Sequence, residues 1–138
     1  MRSKRGVIAG AFDIIHPGYI YAFREAKIYC EKLIVFLHDD PNSERSGKLK
    51  PILSLNERVE ILKSIVYVDD IFPYDTETDL HAILSEIDYD IRFLGSDYLT
   101  KPYTHGKEGE EIHYLGREHG WSETKLIKLI IERGLPKS

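Results

Sequence analysis

Val7-Ile8-Ala9-Gly10-Ala11-Phe12-Asp13-Ile14-Ile15-His16-Pro17-Gly18-Tyr19 is the stretch that decides the fold of this chain. Its first residues form an apolar run that reads as a buried strand. The residues beyond it, Tyr21-Ala22-Phe23-Arg24-Glu25-Ala26-Lys27, read as a helix. Pro17 suits the first helical turn, where its missing N–H would have had no partner. A strand, a glycine turn and a helix that opens on a histidine and a glycine make an anion site. Free N–H groups at the helix start point at the ligand, and the helix dipole favours negative charge. Gly18 lets a phosphate approach the backbone, and His16 can donate to it.

Outward from this turn the elements alternate. Lys32–His38 is a second continuous apolar strand, of the kind buried on both faces. A polar loop runs from Asp39 to about Leu53. Ser54-Leu55-Asn56-Glu57 has the form of a capping box and predicts a helix through Ile65. A short strand is expected over Asp70–Pro73. A helix follows over Thr76–Ile87, with Leu80, Ile83, Leu84 and Ile87 at helical spacing. Asp90–Gly95 and Ile112–Leu115 are the last two strands. Ser122 caps a final helix that ends near Gly134.

This order predicts an α/β fold, a parallel sheet with helices on both faces. The length of 138 residues predicts one domain, 1–138. Such sheets bind ligands at the carboxyl ends of their strands, where the strand order reverses. His16, the Asp39–Lys50 loop, Gly95–Asp97 and Gly116–Ser122 all follow strand ends. Topology alone therefore predicts that they converge on one edge.

Composition narrows the partners. A net charge of -4 argues against broad binding to nucleic acid. A polyanionic nucleotide would need a local cluster of positive groups. No apolar run approaches the roughly 20 residues that span a membrane. Met1-Arg2-Ser3-Lys4-Arg5 is basic but no signal-peptide core follows, so a cytoplasmic protein is expected. The single Cys30 excludes an internal disulfide and a cysteine-rich zinc site, and its helix position suggests packing. His38, His81, His105, His113 and His119 have no metal-binding spacing and read as structural or solvent-facing. No metal ligand is assigned to a side chain. A Gly-x-Gly-x-x-Gly turn is absent, which leaves a dinucleotide-binding dehydrogenase without support.

Three further segments carry chemistry. Arg117-Glu118-His119-Gly120-Trp121-Ser122-Glu123-Thr124-Lys125 lies between a strand and a helix. Ser122 is a good N-cap, and the Arg117 guanidinium can fork onto phosphate oxygens. Ser46-Gly47-Lys48-Leu49-Lys50-Pro51 places two lysines in the polar loop. Leu94-Gly95-Ser96-Asp97-Tyr98 is a turn after a strand.

Together these segments resemble the cytidylyltransferase branch of the HIGH-type nucleotidyltransferases. That family's signature runs Gly-Thr-Phe-Asp, two apolar residues, His-x-Gly-His. Gly10, Phe12, Asp13, His16 and Gly18 match it; Ala11 replaces Thr, and Tyr19 replaces the second His. The family's Arg-Thr-x-Gly-Ile-Ser-Thr-Thr motif is matched at Arg117, Gly120, Ser122 and Thr124. Glu118 and Glu123 replace threonines there. Lys48 and Lys50 resemble a Lys-x-Lys loop, and Arg58 matches an arginine of the helix after it. Ser96 replaces the first Asp of a Gly-Asp-Asp-Trp/Tyr segment. Val66 stands where glycerol-3-phosphate cytidylyltransferases, the nearest type, often carry another arginine. The resemblance runs from about residue 5 to about residue 132.

It implies a Rossmann-like sheet of five parallel strands and CMP transfer from CTP to a phosphorylated acceptor. That acceptor is a glycerol-3-phosphate-like polyol or a sugar phosphate; pyrophosphate leaves, and Mg2+ is the cofactor. His16, Lys48, Lys50 and Arg117 would be catalytic. Gly10, Ala11, Phe12, Asp13, Gly18, Tyr19, Gly95, Asp97, Gly120, Ser122, Glu123 and Thr124 would bind the nucleotide. Lys50, Arg58 and Asp40 would face the acceptor, and the protein would be a homodimer. Two other readings stay open. One is an adenylyltransferase of the same superfamily using ATP, because base choice in this fold rests largely on backbone contacts. The other is a non-catalytic nucleotide-binding module, motivated by the departures at Ala11, Tyr19, Ser96 and Glu123.

Overall fold

The computed structural model describes residues 2–43 and 50–134. Five strands, β1 (Arg5–Gly10), β2 (Lys32–His38), β3 (Asp70–Tyr74), β4 (Ile91–Gly95) and β5 (Ile112–Leu115), form one sheet in the order β3-β2-β1-β4-β5. Every pairing is parallel. The helices are α1 (Pro17–Tyr29), α2 (Leu55–Lys63), α3 (Glu77–Glu86) and α4 (Glu123–Gly134). This is the doubly covered α/β sheet expected from the alternation.

The alternation of side chains along the strands divides the core in two. Ile8, Leu33, Val35, Leu37 and Phe93 point to one face and pack with Phe23 and Ala26 of α1 and Leu62 of α2. Val7, Ile34 and Phe36 point to the other and pack with Leu80 and Leu84 of α3. Phe23 has no exposed surface; burying a side chain of that size contributes up to about 3 kcal/mol. β2 is buried along almost its whole length because both of its faces are covered.

Caps set the helix ends. Ser54 and Glu57 close both bonds of the expected capping box at α2. Thr76 and Asp79 form a second box at α3 that the apolar spacing did not signal. α2 stops at Lys63, two residues short of the expected end. The Ser64 N–H turns back to the Ile61 and Leu62 carbonyls there. Residues 96–99 form a short 3-10 helix where the sequence reads as a turn after a strand. Cys30 is buried at the end of α1, as packing requires. Among the described residues no helix is long and apolar enough to cross a membrane.

The strand order reverses between β1 and β4. Their carboxyl ends therefore open a crevice, and the turn after β1 lies at its mouth.

Candidate active site

The turn between β1 and α1 is held in an unusual backbone form. Phe12 has φ 45°, in the left-handed region, where a bulky residue is strained by roughly 1–3 kcal/mol. Its ring compensates by packing edge-on to Tyr19 and against Phe23, 5.4 and 5.5 Å between centroids. Asp13 then turns back under the next loop. Its two carboxylate oxygens accept the Ile52 and Leu53 N–H groups at 2.7 and 2.9 Å. The segment that follows Lys50 is thereby anchored to the turn.

His16 is the N-cap of α1. Its Nδ1 accepts the Gly18 N–H at 3.0 Å. In the neutral ring the proton then sits on Nε2, which remains a donor. The ring is 7% exposed and stacks on Tyr19 at 4.3 Å. Burial pushes its pKa down from the ordinary value; Glu123 opposes this, while His119 and Arg117 reinforce it. Gly18 has no room for a side chain. A Cβ there would stand 2.7 Å from Cε1 of His16 and 2.8 Å from Cε1 of His119.

α4 brings the second half of the site. Ser122 Oγ accepts the Lys125 N–H at 3.1 Å, as an N-cap should. Tyr19 donates its hydroxyl to Glu123 at 2.7 Å. Arg117 is half exposed and pairs with Asp97 at 3.3 Å, which links the turn after β5 to the turn after β4. Gly120 has φ 72°, a conformation that glycine adopts without strain. Thr124 is exposed on the first turn of α4.

The structure therefore gathers His16, Gly18, Tyr19, Glu123, Arg117 and Asp97 at one end of the sheet. Two helices begin at this end of the sheet, and their dipoles favour negative charge there. At α1 the Gly18 and Tyr19 N–H groups are already bonded to His16, and at α4 Ser122 takes the Lys125 and Leu126 N–H groups. Gly10 and Ala11 lead into the turn, and Gly95 precedes Asp97, whose Oδ1 lies where a Cβ of Gly95 would be. Lys50 is exposed, and Lys48 lies outside the described residues. Asp40 holds the Asn42 N–H at 3.0 Å in the 3-10 turn after β2.

Arg58, expected at the acceptor, sits elsewhere. It is 2% exposed, and its guanidinium donates to the carbonyls of Leu53, Ala11, His38 and Asp39. Five N–H donors on one rigid fork can pin several chain segments at once. Arg58 thus ties the ends of β1 and β2 to the start of α2, and it does not open onto the crevice. Glu57-Arg58 is legible as a pattern, but only packing tells which way the side chain goes.

His119, whose spacing reads as structural or solvent-facing, stands beside this cluster. Its ring lies against Gly18, and its Nδ1 accepts the Trp121 N–H at 2.9 Å. The sequence carried no spacing signal for it, because its neighbours come from α1.

On the α3 face a cavity of about 140 Å³ adjoins the same turn. Gly10 and Ala11 form one end, and His38, Glu77, Tyr98 and Tyr103 line the rest. Thr104 lines it as well, and the segment that begins with Tyr103 and Thr104 is fastened by buried Arg92. That side chain donates to the Thr104 carbonyl and pairs with Glu110 at 3.3 Å. Thr104 also donates its hydroxyl to Glu77 at 2.7 Å. Among the described residues no three His, Cys, Asp or Glu side chains are grouped to hold a metal ion.

Residues 7–125 match the family model described as Cytidylyltransferase-like. The chain is 36% identical over 96 residues to a bifunctional protein HldE from Hyphomonas neptunium, covering 69% of this chain and 20% of that protein. It is 32% identical over 139 residues to a bifunctional protein HldE from Chromohalobacter salexigens, covering 96% of this chain and 29% of that protein. The chain thus spans less than a third of the length of these relatives. Among solved structures it is similar to a lipopolysaccharide core biosynthesis protein from Thermoplasma volcanium, with a TM-score of 0.61 and 24% identity, over 97% of this chain and 91% of that one. At that identity the likeness shows the fold.

Proposed function

The chain belongs to the cytidylyltransferase-like family, and on that premise we propose that it transfers a nucleoside monophosphate from a nucleoside triphosphate to a phosphorylated acceptor. The observation that carries this reading is the meeting of two helix N-termini with His16 and Arg117 at the carboxyl ends of the strands. An acceptor phosphate oxygen forms a bond to the α-phosphorus. The bond from that phosphorus to the bridging oxygen breaks, and its electron pair leaves with pyrophosphate. Such a reaction depends on positioning and on neutralising developing charge.

His16 donates from Nε2 to the transferring phosphate. Arg117 and the α4 start hold the leaving pyrophosphate. Lys48 and Lys50 bridge the acceptor and nucleotide phosphates. Asp13 and Arg58 act as positioning residues, because they fix the loop ends that carry the lysines. The donor set fits magnesium that arrives on the triphosphate. Mg2+ keeps several waters and takes one or two carboxylates beside substrate phosphates, and Glu123 is the carboxylate at hand. When bound it would neutralise charge on the nucleotide oxygens.

The cavity beside Gly10 suits the carbon body of the acceptor. Its volume is near the roughly 150 Å³ that admits a benzene ring, which is room for one sugar ring or a short polyol. CTP is the donor that the sequence resemblance implies. ATP is the second reading, because the name of the HldE relatives specifies no nucleotide. A homodimer is carried as part of the proposal, and exposed Ile61 and Val66 near the end of α2 offer apolar surface for it. Pyrophosphate release, measured for four nucleoside triphosphates against polyol and sugar phosphates with magnesium, tests the reading. Release that requires both a triphosphate and a phosphorylated acceptor supports it. No release from any pair would sink it in favour of a binding module.

A further inference from the structure

We propose that His119 takes the place of the second histidine that this chain lacks at position 19. The proposal rests on the nucleotidyltransferase reading and adds a catalytic residue to it. In this chain Tyr19 has its hydroxyl engaged by Glu123 at 2.7 Å and its ring stacked on His16. A neutral phenol whose donor is already taken cannot supply a second imidazole N–H to a phosphate.

His119 can. It reaches the site from the turn before α4, and Cε1 of its ring and Cε1 of the His16 ring lie within 2.8 and 2.7 Å of where a Cβ of Gly18 would stand, so the two rings meet over that glycine. The two rings are also held alike. Nδ1 of His16 accepts the N–H two residues on, at 3.0 Å, and Nδ1 of His119 does the same at 2.9 Å. In each neutral ring the proton is then fixed on Nε2. The result is two N–H donors, one from each half of the site, on rings that converge over Gly18. His119 is only partly buried, between Gly18 and the Tyr21 ring at 5.6 Å, which leaves it accessible to a ligand. In the transfer step it donates a hydrogen bond to the charge developing on the phosphate and loses no proton.

The test uses two substitutions that separate the turn from the donor. His119→Asn places Oδ1 where Nδ1 was, so the bond from Trp121 survives and the Nε2 donor is lost. His119→Gln places an amide N–H near the Nε2 position and gives up the turn bond. The first should lower kcat on the order of a hundredfold, as loss of one preorganised donor does, with KM for the acceptor little changed. The second should stay within about tenfold of wild type. Adding Tyr19→His to His119→Asn should recover much of the loss. Thermal denaturation of each variant monitors folding.

A second readout needs no acceptor. The His119 ring N–H resonance should shift on titration with magnesium and CTP or ATP, and that of His16 should shift with it. Product formed at wild-type rate by His119→Asn would overturn the proposal and leave the transferase reading standing. A shifted His119 resonance with no product from any acceptor would support the His119–phosphate contact, overturn its catalytic role and sink the transferase reading. A bound nucleotide that leaves His119 unmoved would overturn the proposal outright.

Discussion

The Tyr19 hydroxyl donates to the Glu123 carboxylate at 2.7 Å, tying the first turn of α1 to the first residue of α4. Burial is the main reason that the phenol's pKa rises, and Glu123 adds to it. Tyr19 is therefore a neutral donor at any working pH. Removing it in Tyr19→Phe should cost about 1 kcal/mol and lower Tm by roughly 3–6 °C for a chain of this size. Thermal unfolding checks this, and an unchanged Tm would show that the bond contributes nothing.

His16 makes stability depend on pH. Its folded-state pKa lies below the unfolded value of about 6.5, chiefly because the ring is buried. As pH falls, the unfolded chain takes up the proton first. The contribution is complete above about pH 6.5 and is lost as pH falls through the folded pKa. His16→Asn keeps an acceptor for the Gly18 N–H and has no ionising ring. Wild-type Tm should fall relative to this variant between about pH 7.5 and 5.5. Parallel profiles would contradict the assigned direction.

Arg58 should matter more for folding than for chemistry. Arg58→Ala would leave four carbonyls without their donor. The expected loss exceeds about 3 kcal/mol, since each buried unpaired acceptor costs on the order of 1 kcal/mol or more. Arg58→Lys can satisfy only some of the four and should fall between. Urea denaturation measures both. A stable Arg58→Ala with impaired acceptor KM would restore Arg58 to the acceptor site.

Arg117 should read the terminal phosphates. It stands half exposed before the capped start of α4, beside Asp97 at 3.3 Å. Arg117→Ala should weaken triphosphate binding at least tenfold and monophosphate binding little, because a charged bidentate contact contributes roughly 1.5–3 kcal/mol. Calorimetry with CTP against CMP, and ATP against AMP, decides it. Equal weakening would place Arg117 away from the pyrophosphate.

Local signals in the sequence determined the elements. Lys32–His38 and Ile112–Leu115 are strands with the expected bounds, because an apolar run between polar loops leaves little choice. The Ser54–Glu57 box and the Ser122 cap are contacts within one turn, so the residue types that form them lie side by side in the chain. The strand–turn–helix at His16 is legible for the same reason. Tertiary structure alone decided which distant groups stand beside that turn. Nothing near Tyr19 in the chain announces Glu123, and nothing near His119 announces Gly18, since those contacts join α1 to the far end of the sequence. The burial of Arg58 was equally hidden: a guanidinium pattern on a helix reads the same whether it faces solvent or carbonyls. Only the packing of β1, β2 and α2 around it turned a presumed ligand contact into an internal brace.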